Sequence, residues 1–422
     1  MDTISFGPGR EPRRWHPRNG WPGRQAWLVA AAAAVALTAA GVTAAVLLTS
    51  GPARQAASAP TVSAPLPRLL SGVPVHGAST DLFLAGENFW QVGPQPRAVA
   101  SGFLVNGLSP LLPPGHGAEA DQLAAVPGGV VAHISDISTG ITYSAPGRVV
   151  FLPAGATGAA GPARVIARAT MIAVSPGGRQ VWVQTAIQMV RNGQGVPLGF
   201  TSPTWAVNLV GRRVSPVLRL PFGLAGATGS GPLTQNLDTG RLQLWNGTTG
   251  RPVPLRMPSD ASFAAAAGDR VTWWSCGASC WLHVTDLRTG ADAAVPAPAH
   301  WLPPSPAYPP AMASFDPSGR RLVLPLSRAD SAGRTTVEAL FVADTATGTM
   351  RMIPGTLVPL PASGTQPLAL AGAWDRRGLL WAQASVPDSG YYQLGFWTGA
   401  GPLRVFPPAR GSPDALSPPG PG

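Results

Sequence analysis

The sequence contains no lysine: all thirty of its cationic side chains are arginine. A Walker-A lysine, a Schiff-base lysine and a kinase-type phosphate-anchoring lysine are therefore excluded. Charge is scarce, at 12% of residues, where an ordinary soluble domain carries about 25%. Glutamate occurs four times and cysteine twice. The few carboxylates show no pair at a spacing suited to glycosidic-bond hydrolysis. No long amphipathic helix can be drawn, and the reason is compositional: 51 glycines and 48 prolines in 422 residues interrupt helices and supply turns. The length allows two or three domains of roughly 100 to 200 residues, or one large repeat domain.

Residues 1–25 are rich in Pro, Gly and Arg without apolar periodicity, and read as a disordered tail. From Ala26 to Leu48 there is neither a charge nor a proline. A helix of that length rises roughly 34 Å, enough to cross a bilayer. Five arginines precede it, Arg10, Arg13, Arg14, Arg18 and Arg24, and only Arg54 and Arg68 follow soon after. The positive-inside rule then puts the amino terminus in the cytoplasm and the bulk of the chain outside. A cleaved signal peptide is the rival reading, with Ala56–Pro60 offered to a peptidase, but the apolar run exceeds the roughly 7 to 15 residues of a signal core. Residues 49–75, rich in Ala, Pro and Ser, read as a linker, and 407–422 as a second disordered tail.

Residues 76–406 alternate short apolar runs with turn clusters. The clearest strands are 103–108, 148–153, 180–186, 204–210, 241–245, 270–275, 280–287, 321–326, 337–344, 379–385 and 391–398. Two signatures punctuate them. One is a tight turn entering a strand, Ser175-Pro176-Gly177-Gly178-Arg179 and Asp316-Pro317-Ser318-Gly319-Arg320. The other is Asp/Asn-x-x-Thr-Gly, at 136–140, 236–240, 246–250, 286–290 and 344–348. Its first side chain accepts backbone amides while glycine closes the turn. Seven units of about 47 residues fit this region, close to the roughly 40 to 50 of a four-stranded propeller blade. The expectation is an all-β, seven-bladed β-propeller behind one transmembrane helix, with six or eight blades as alternatives. Paired immunoglobulin-like sandwiches are disfavoured, because no Cys…Trp…Cys spacing is present.

The two proline-bearing turns resemble the S-P-D-G-R/K repeats of TolB-type and WD-repeat-like bacterial propellers, and the Asp-x-x-Thr-Gly turns are similar to the connection between later strands of such blades. The family's usual aspartate is replaced by Gly177 in one copy and by Ser318 in the other. The resemblance implies architecture; no partner carries over with it.

Chemistry-bearing residues are few. Cys276 and Cys280 flank Gly277-Ala278-Ser279 at a hairpin tip, and outside the cell they are expected to form a disulfide. The alternative, a metal or redox site with His283, lacks a fourth ligand. None of the six histidines lies in HExxH, and Ser230 lacks both glycines of a nucleophile elbow, with Thr228 and Pro232 in their places. Gly155–Gly161 reads as a small-residue loop. No catalytic residue, metal site or cofactor is expected. A proline-stiffened loop at 296–310 carries His300, Trp301 and Tyr308, which either present rings to a partner or cap their own blade. Residues 49–422 hold 25 arginines against 17 carboxylates, a net of +8, suited to anionic headgroups or cell-wall polymers. The expected partners are the lipid bilayer through 26–48 and a protein or cell-envelope polymer; nucleic acid is disfavoured by location. Binding or scaffolding is thus expected, with a hydrolase or lyase site over the ring's channel as the rival.

Overall fold

The computed structural model describes residues 68–75, 82–92 apart from 87–88, 118–136, 146–153 and most of 164–417. The apolar stretch 26–48 and the strand expected at 103–108 lie outside the described residues. Among those described, no helix is long and apolar enough to cross a membrane.

The first strands among the described residues are β1 (Val73–Pro74), β2 (Leu82–Gly86) and β3 (Phe89–Val92). Blades follow in order. The first is β4 (Ala118–Val126), β5 (Gly129–Asp136), β6 (Gly147–Pro153) and β7 (Arg164–Ala169). The second is β8 (Met171–Val174), β9 (Gln180–Gln184), β10 (Gln188–Arg191), β11 (Pro197–Asn208) and β12 (Leu218–Leu220). The third is β13 (Gly223–Thr228), β14 (Gly231–Gln235), β15 (Leu242–Trp245) and β16 (Pro252–Val253). The fourth is β17 (Ser262–Ala267), β18 (Arg270–Cys276), β19 (Cys280–Asp286) and β20 (Asp292–Pro296). The fifth is β21 (Ser314–Phe315), β22 (Arg321–Ala329), β23 (Thr335–Asp344), β24 (Thr349–Met352) and β25 (Val358–Pro359). The sixth is β26 (Ala369–Trp374), β27 (Leu380–Val386), β28 (Tyr391–Trp397), β29 (Arg404–Val405) and β30 (Ala409–Arg410), to which β1 adds in parallel. Finally β31 (Pro413–Ser417) returns to pair with β2.

The fold is a β-propeller. Among the described residues it has six full blades rather than the seven expected. Around residue 90, expected as a unit of its own, the described residues form β2 and β3, and β31 from late in the sequence pairs with β2 in a three-stranded sheet. That sheet lies between β26 and β4. Two boundaries also move. Residues 68–75 are not linker, since Leu70 is fully buried and β1 joins the sixth blade. Beyond Pro407 the chain supplies β30 and β31 where a disordered tail was expected. The ten other expected strands coincide with β6, β9, β11, β15, β18, β19, β22, β23, β27 and β28.

The apolar runs follow from burial on both sides. β27 is buried at all seven positions, because one face packs with Val323, Leu340 and Leu70 and the other with Tyr392, Phe396 and Phe406. Buried central strands lose the apolar/polar alternation of a one-sided sheet. Polar side chains tie blade to blade instead. Gln122 Oε1 accepts from Ile172 N at 2.8 Å, and Gln184 Oε1 accepts from Leu224 N at 2.9 Å. Each joins one blade to the first strand of the next.

Both turn signatures recur at fixed places. Asn246, Asp286 and Asp344 each accept two backbone amides, at 2.8 to 3.2 Å, in the turns linking β15–β16, β19–β20 and β23–β24. Gly250, Gly290 and Gly348 close these turns at φ of 66°, 72° and 66°, a conformation that favours glycine. The copies at 136–140 and 236–240 fall mostly outside the described residues. Ser175 and Asp316 organise the β8–β9 and β21–β22 turns.

Candidate functional site

The β4–β5, β8–β9, β13–β14 and β17–β18 turns lie at the same end of neighbouring blades: Gly178 abuts Pro127 and Gly229 abuts Asp269. The connections to the outermost strands reach this same end of the ring. Arg270 donates to Gly319 O, and Arg351 donates to Gly399 O at 3.2 Å. On this turn face, or on strand residues bordering it, Arg164, Arg179, Arg212, Arg213, Arg251, Arg288, Arg320, Arg351, Arg377 and Arg404 are exposed.

The carboxylates of the same face are arranged differently. Asp316 and Asp375 are buried, at 5% and 6% exposure. Asp316 Oδ1 accepts from Arg320 N and Arg321 N, and its Oδ2 accepts from Arg321 Nε at 2.9 Å. Burial pushes the Asp316 carboxyl up, but the hydrogen bonds from Arg321, Ser318 and Arg320 outweigh it and hold the group below its ordinary value. Asp286 is held low by the Thr289 amide first, then by the Thr289 hydroxyl and the Arg288 amide. Asp344 spends Oδ1 on two amides. Only Asp269 and Asp292 are exposed among the described carboxylates there. Carboxylates are thus consumed in making turns while guanidinium groups face solvent, so the face presents positive potential.

A second arrangement lies on the fourth blade. Register places Trp273 opposite His283, Ser275 opposite Trp281, and Thr285 opposite Asp292, all on the sheet face that includes Val271. Val271 packs with Leu233 and Leu244 of the third blade. Trp273 Nε1, which can only donate, gives its proton to Thr285 Oγ1 at 2.9 Å. Thr285 therefore donates onward to Asp292 Oδ1 at 2.8 Å. Asp292 Oδ2 lies 2.7 Å from His283 Nδ1, and His283 Nε2 lies 2.9 Å from Ser275 Oγ. A carboxylate oxygen can only accept, so Nδ1 donates to Asp292, and in the neutral ring Nε2 is then the acceptor for the serine hydroxyl. The His283 ring stacks on Trp273 with centroids 3.9 Å apart and planes 9° from parallel. Its side chain is 18% exposed and that of Asp292 37%.

Cys276 and Cys280 form the disulfide, directly opposite each other with Cα atoms 4.1 Å apart. Both sulfurs are thereby removed from any shared metal site with His283. In the 296–310 loop, His300 is exposed at φ 67°. Trp301 turns inward instead. Its ring meets Phe341 edge-on at 4.8 Å, Arg328 lies over it at 5.6 Å, and Leu302 exchanges backbone bonds with Ser327. Tyr308 lies outside the described residues. Trp301 thus packs on β22 and β23 of the fifth blade, while the neighbouring His300 is exposed.

Sequence reasoning missed the Ser275–His283–Asp292 chain because spacings of eight and nine residues match no catalytic motif. Strand pairing alone brings them together. It also missed Asp375, whose Oδ1 accepts from Arg377 N and Leu379 N at 2.9 Å. The signal was present: Asp375-x-x-Gly378 repeats the spacing of Asp316-x-x-Gly319 without its proline.

No family model matches the sequence, and no curated protein matches it. Among solved structures, the chain is similar to a puromycin hydrolase at 18% identity, covering 64% of this chain and 43% of that one, with a TM-score of 0.39. It is similar to a GH74 xyloglucanase from Xanthomonas campestris at 13% identity over 69% of this chain and 46% of that one, TM-score 0.41. It is also similar to the β-propeller domain of the Trilobed protease from Pyrococcus furiosus, at 11% identity over 68% and 82% of the two chains, TM-score 0.39. The chain spans under half the length of the first two. The propeller assignment rests on the strand pairing above.

Proposed function

We propose that the chain is a membrane-anchored, extracytoplasmic propeller of TolB-like or WD-repeat-like type that acts by binding, holding an anionic protein or cell-envelope polymer on its turn face. The observation that carries the binding reading is the contrast, among the described residues of that face, of ten exposed arginines with two exposed carboxylates. Arginine suits the role, because its planar fork matches phosphate and carboxylate oxygens bidentately. A rigid ring of blades supports such turns without catalysis.

The test uses the full chain in neutral detergent with poly(glycerol phosphate) as the probe and neutral dextran as the control. Binding is expected to weaken with salt, and the triple substitution Arg251→Glu, Arg288→Glu, Arg320→Glu is expected to weaken it roughly 30-fold or more. Reversing Arg168, Arg219 and Arg328, which lie away from that face, is expected to leave affinity within about threefold. Equal losses from both triples would defeat the reading.

One observation favours a second reading, a hydrolase. The Ser275 hydroxyl, the His283 imidazole and the Asp292 carboxylate stand in the order nucleophile, base and orienting group. They lie on the fourth-blade face whose Val271 packs on the third blade. A fluorophosphonate probe decides it: labelling at Ser275 that disappears in His283→Ala supports hydrolysis. An unlabelled protein removes it.

A further inference from the structure

From Ile137 to Leu237 the chain carries eight arginines and no carboxylate at all. This stretch spans β6 to β14, so one sector of the ring is positive without any compensating anion of its own sequence. The same sector has a second peculiarity. Val165, Val210, Val214 and Val217 are 37%, 64%, 44% and 46% exposed, four of the nine large apolar side chains exposed among the described residues.

The valines and arginines share one place in the fold. Arg164 Nη2 donates to Leu209 O at 2.8 Å, and Gly211 packs closely on Ile166, so the edge of the first blade meets the β11–β12 connection of the second. That connection is held rigid. Asn208 N donates to Arg212 O, Gly211 N to Asn208 O, and Val214 N to Ala206 O, all at 2.8 to 2.9 Å. Asn208 Oδ1 also accepts from Arg212 N at 2.9 Å. In the turn these bonds define, Val210 stands in solvent. Apolar side chains are therefore held in water, beside Arg212 and Arg213, by the turn's own hydrogen bonds.

We infer that this valine-arginine sector docks on the surface of an anionic lipid bilayer. Guanidinium groups meet the headgroup phosphates, and Val210 and its neighbours enter the boundary with the acyl chains. A soluble polyanion would neutralise the arginines and leave the valines wet; a bilayer satisfies both. The inference rests on the anchored, anion-binding reading but is tested at different residues.

Both native cysteines are paired, so Val210→Cys in the full chain takes a single environment-sensitive fluorophore. The labelled protein is reconstituted in phosphatidylcholine vesicles with or without phosphatidylglycerol. Emission at position 210 is expected to rise only with phosphatidylglycerol, and Arg212→Ala with Arg213→Ala is expected to reduce partitioning roughly 30-fold. Leu357→Cys, exposed beside β25 on another blade, serves as the control and is expected to stay silent. Equal emission in both lipids, an equal response at position 357, or no loss in the arginine variant overturns the inference. A response of position 210 to poly(glycerol phosphate) in pure phosphatidylcholine also overturns it. If the response to phosphatidylglycerol survives while the Arg251, Arg288 and Arg320 reversal leaves polymer binding unchanged, the turn-face reading falls and this one stands. Circular dichroism melting of the variants separates misfolding from lost docking, since the altered residues are exposed.

Discussion

Replacing Gln393 by alanine lowers stability by about 4 kcal/mol and frees residues 68–75 from the ring. The side chain is 1% exposed. Its Oε1 accepts from Leu69 N and Leu70 N, each at 2.8 Å, and its Nε2 donates to Phe406 O at 2.8 Å. Truncation leaves two amides and a carbonyl without their partner, at roughly 1 to 3 kcal/mol for each group that stays buried. The local effect exceeds the global one, because this glutamine is what turns the entering chain down toward Gly355 and β29. From there Ser71 N donates to Gly355 O, Val73 N to Leu403 O and Val75 N to Val405 O. Urea unfolding gives the stability change, and hydrogen exchange of the Leu69 and Leu70 amides reports the release. Exchange at β22 and β23 is expected to change far less. A loss under about 1 kcal/mol with unchanged exchange at Leu70 would show that packing of the fully buried Leu70 holds the segment by itself.

Glu338→Gln is expected to stabilise the protein by about 3 kcal/mol at pH 8 and to change little at pH 4. Glu338 sits on β23 opposite Ser327 and the buried Val358. Burial pushes its carboxyl up from 4.5 to about 7. Below about 4.5 the group is protonated whether the chain is folded or not. Between 4.5 and about 7 the unfolded chain gives up the proton and the folded protein keeps it, so stability falls as pH rises. Above 7 the ionised carboxylate is held in a poor environment and the loss is complete. Glutamine keeps the shape and removes the charge. Denaturation midpoints of both proteins across pH 4 to 8 test this, and parallel curves would refute it.

What was legible in the sequence follows from how local its causes are. The strands at β22, β23, β27 and β28 were readable because burial on both faces demands continuous apolar runs. The Asp/Asn-x-x-Thr-Gly turns were readable because their hydrogen bonds close within five residues. Blade number was less legible, since the small sheet of β2 and β3 takes its third strand from the opposite end of the chain, a pairing no local pattern announces. The relay of Ser275, His283 and Asp292 was hidden for the same reason: register across three strands, not spacing along one, brings these side chains together. The charge of the turn face was half visible. Net charge predicted an excess of arginine, but only the folded turns reveal that Asp316 and Asp375 are withdrawn from the surface while the arginines are not.

The pairing of β2 with β31, in which Phe83 faces Ser417, bears on how the molecule is born. A nascent polypeptide emerging from the ribosome can build its middle blades as they appear, because each uses neighbouring segments. The β2–β3 hairpin must wait for β31, made about 330 residues later. Loop closure of that span is entropically costly and slow. The ring therefore closes only once β31 exists, and a chain lacking residues 413–417 would leave β2 with a sticky, unpaired edge.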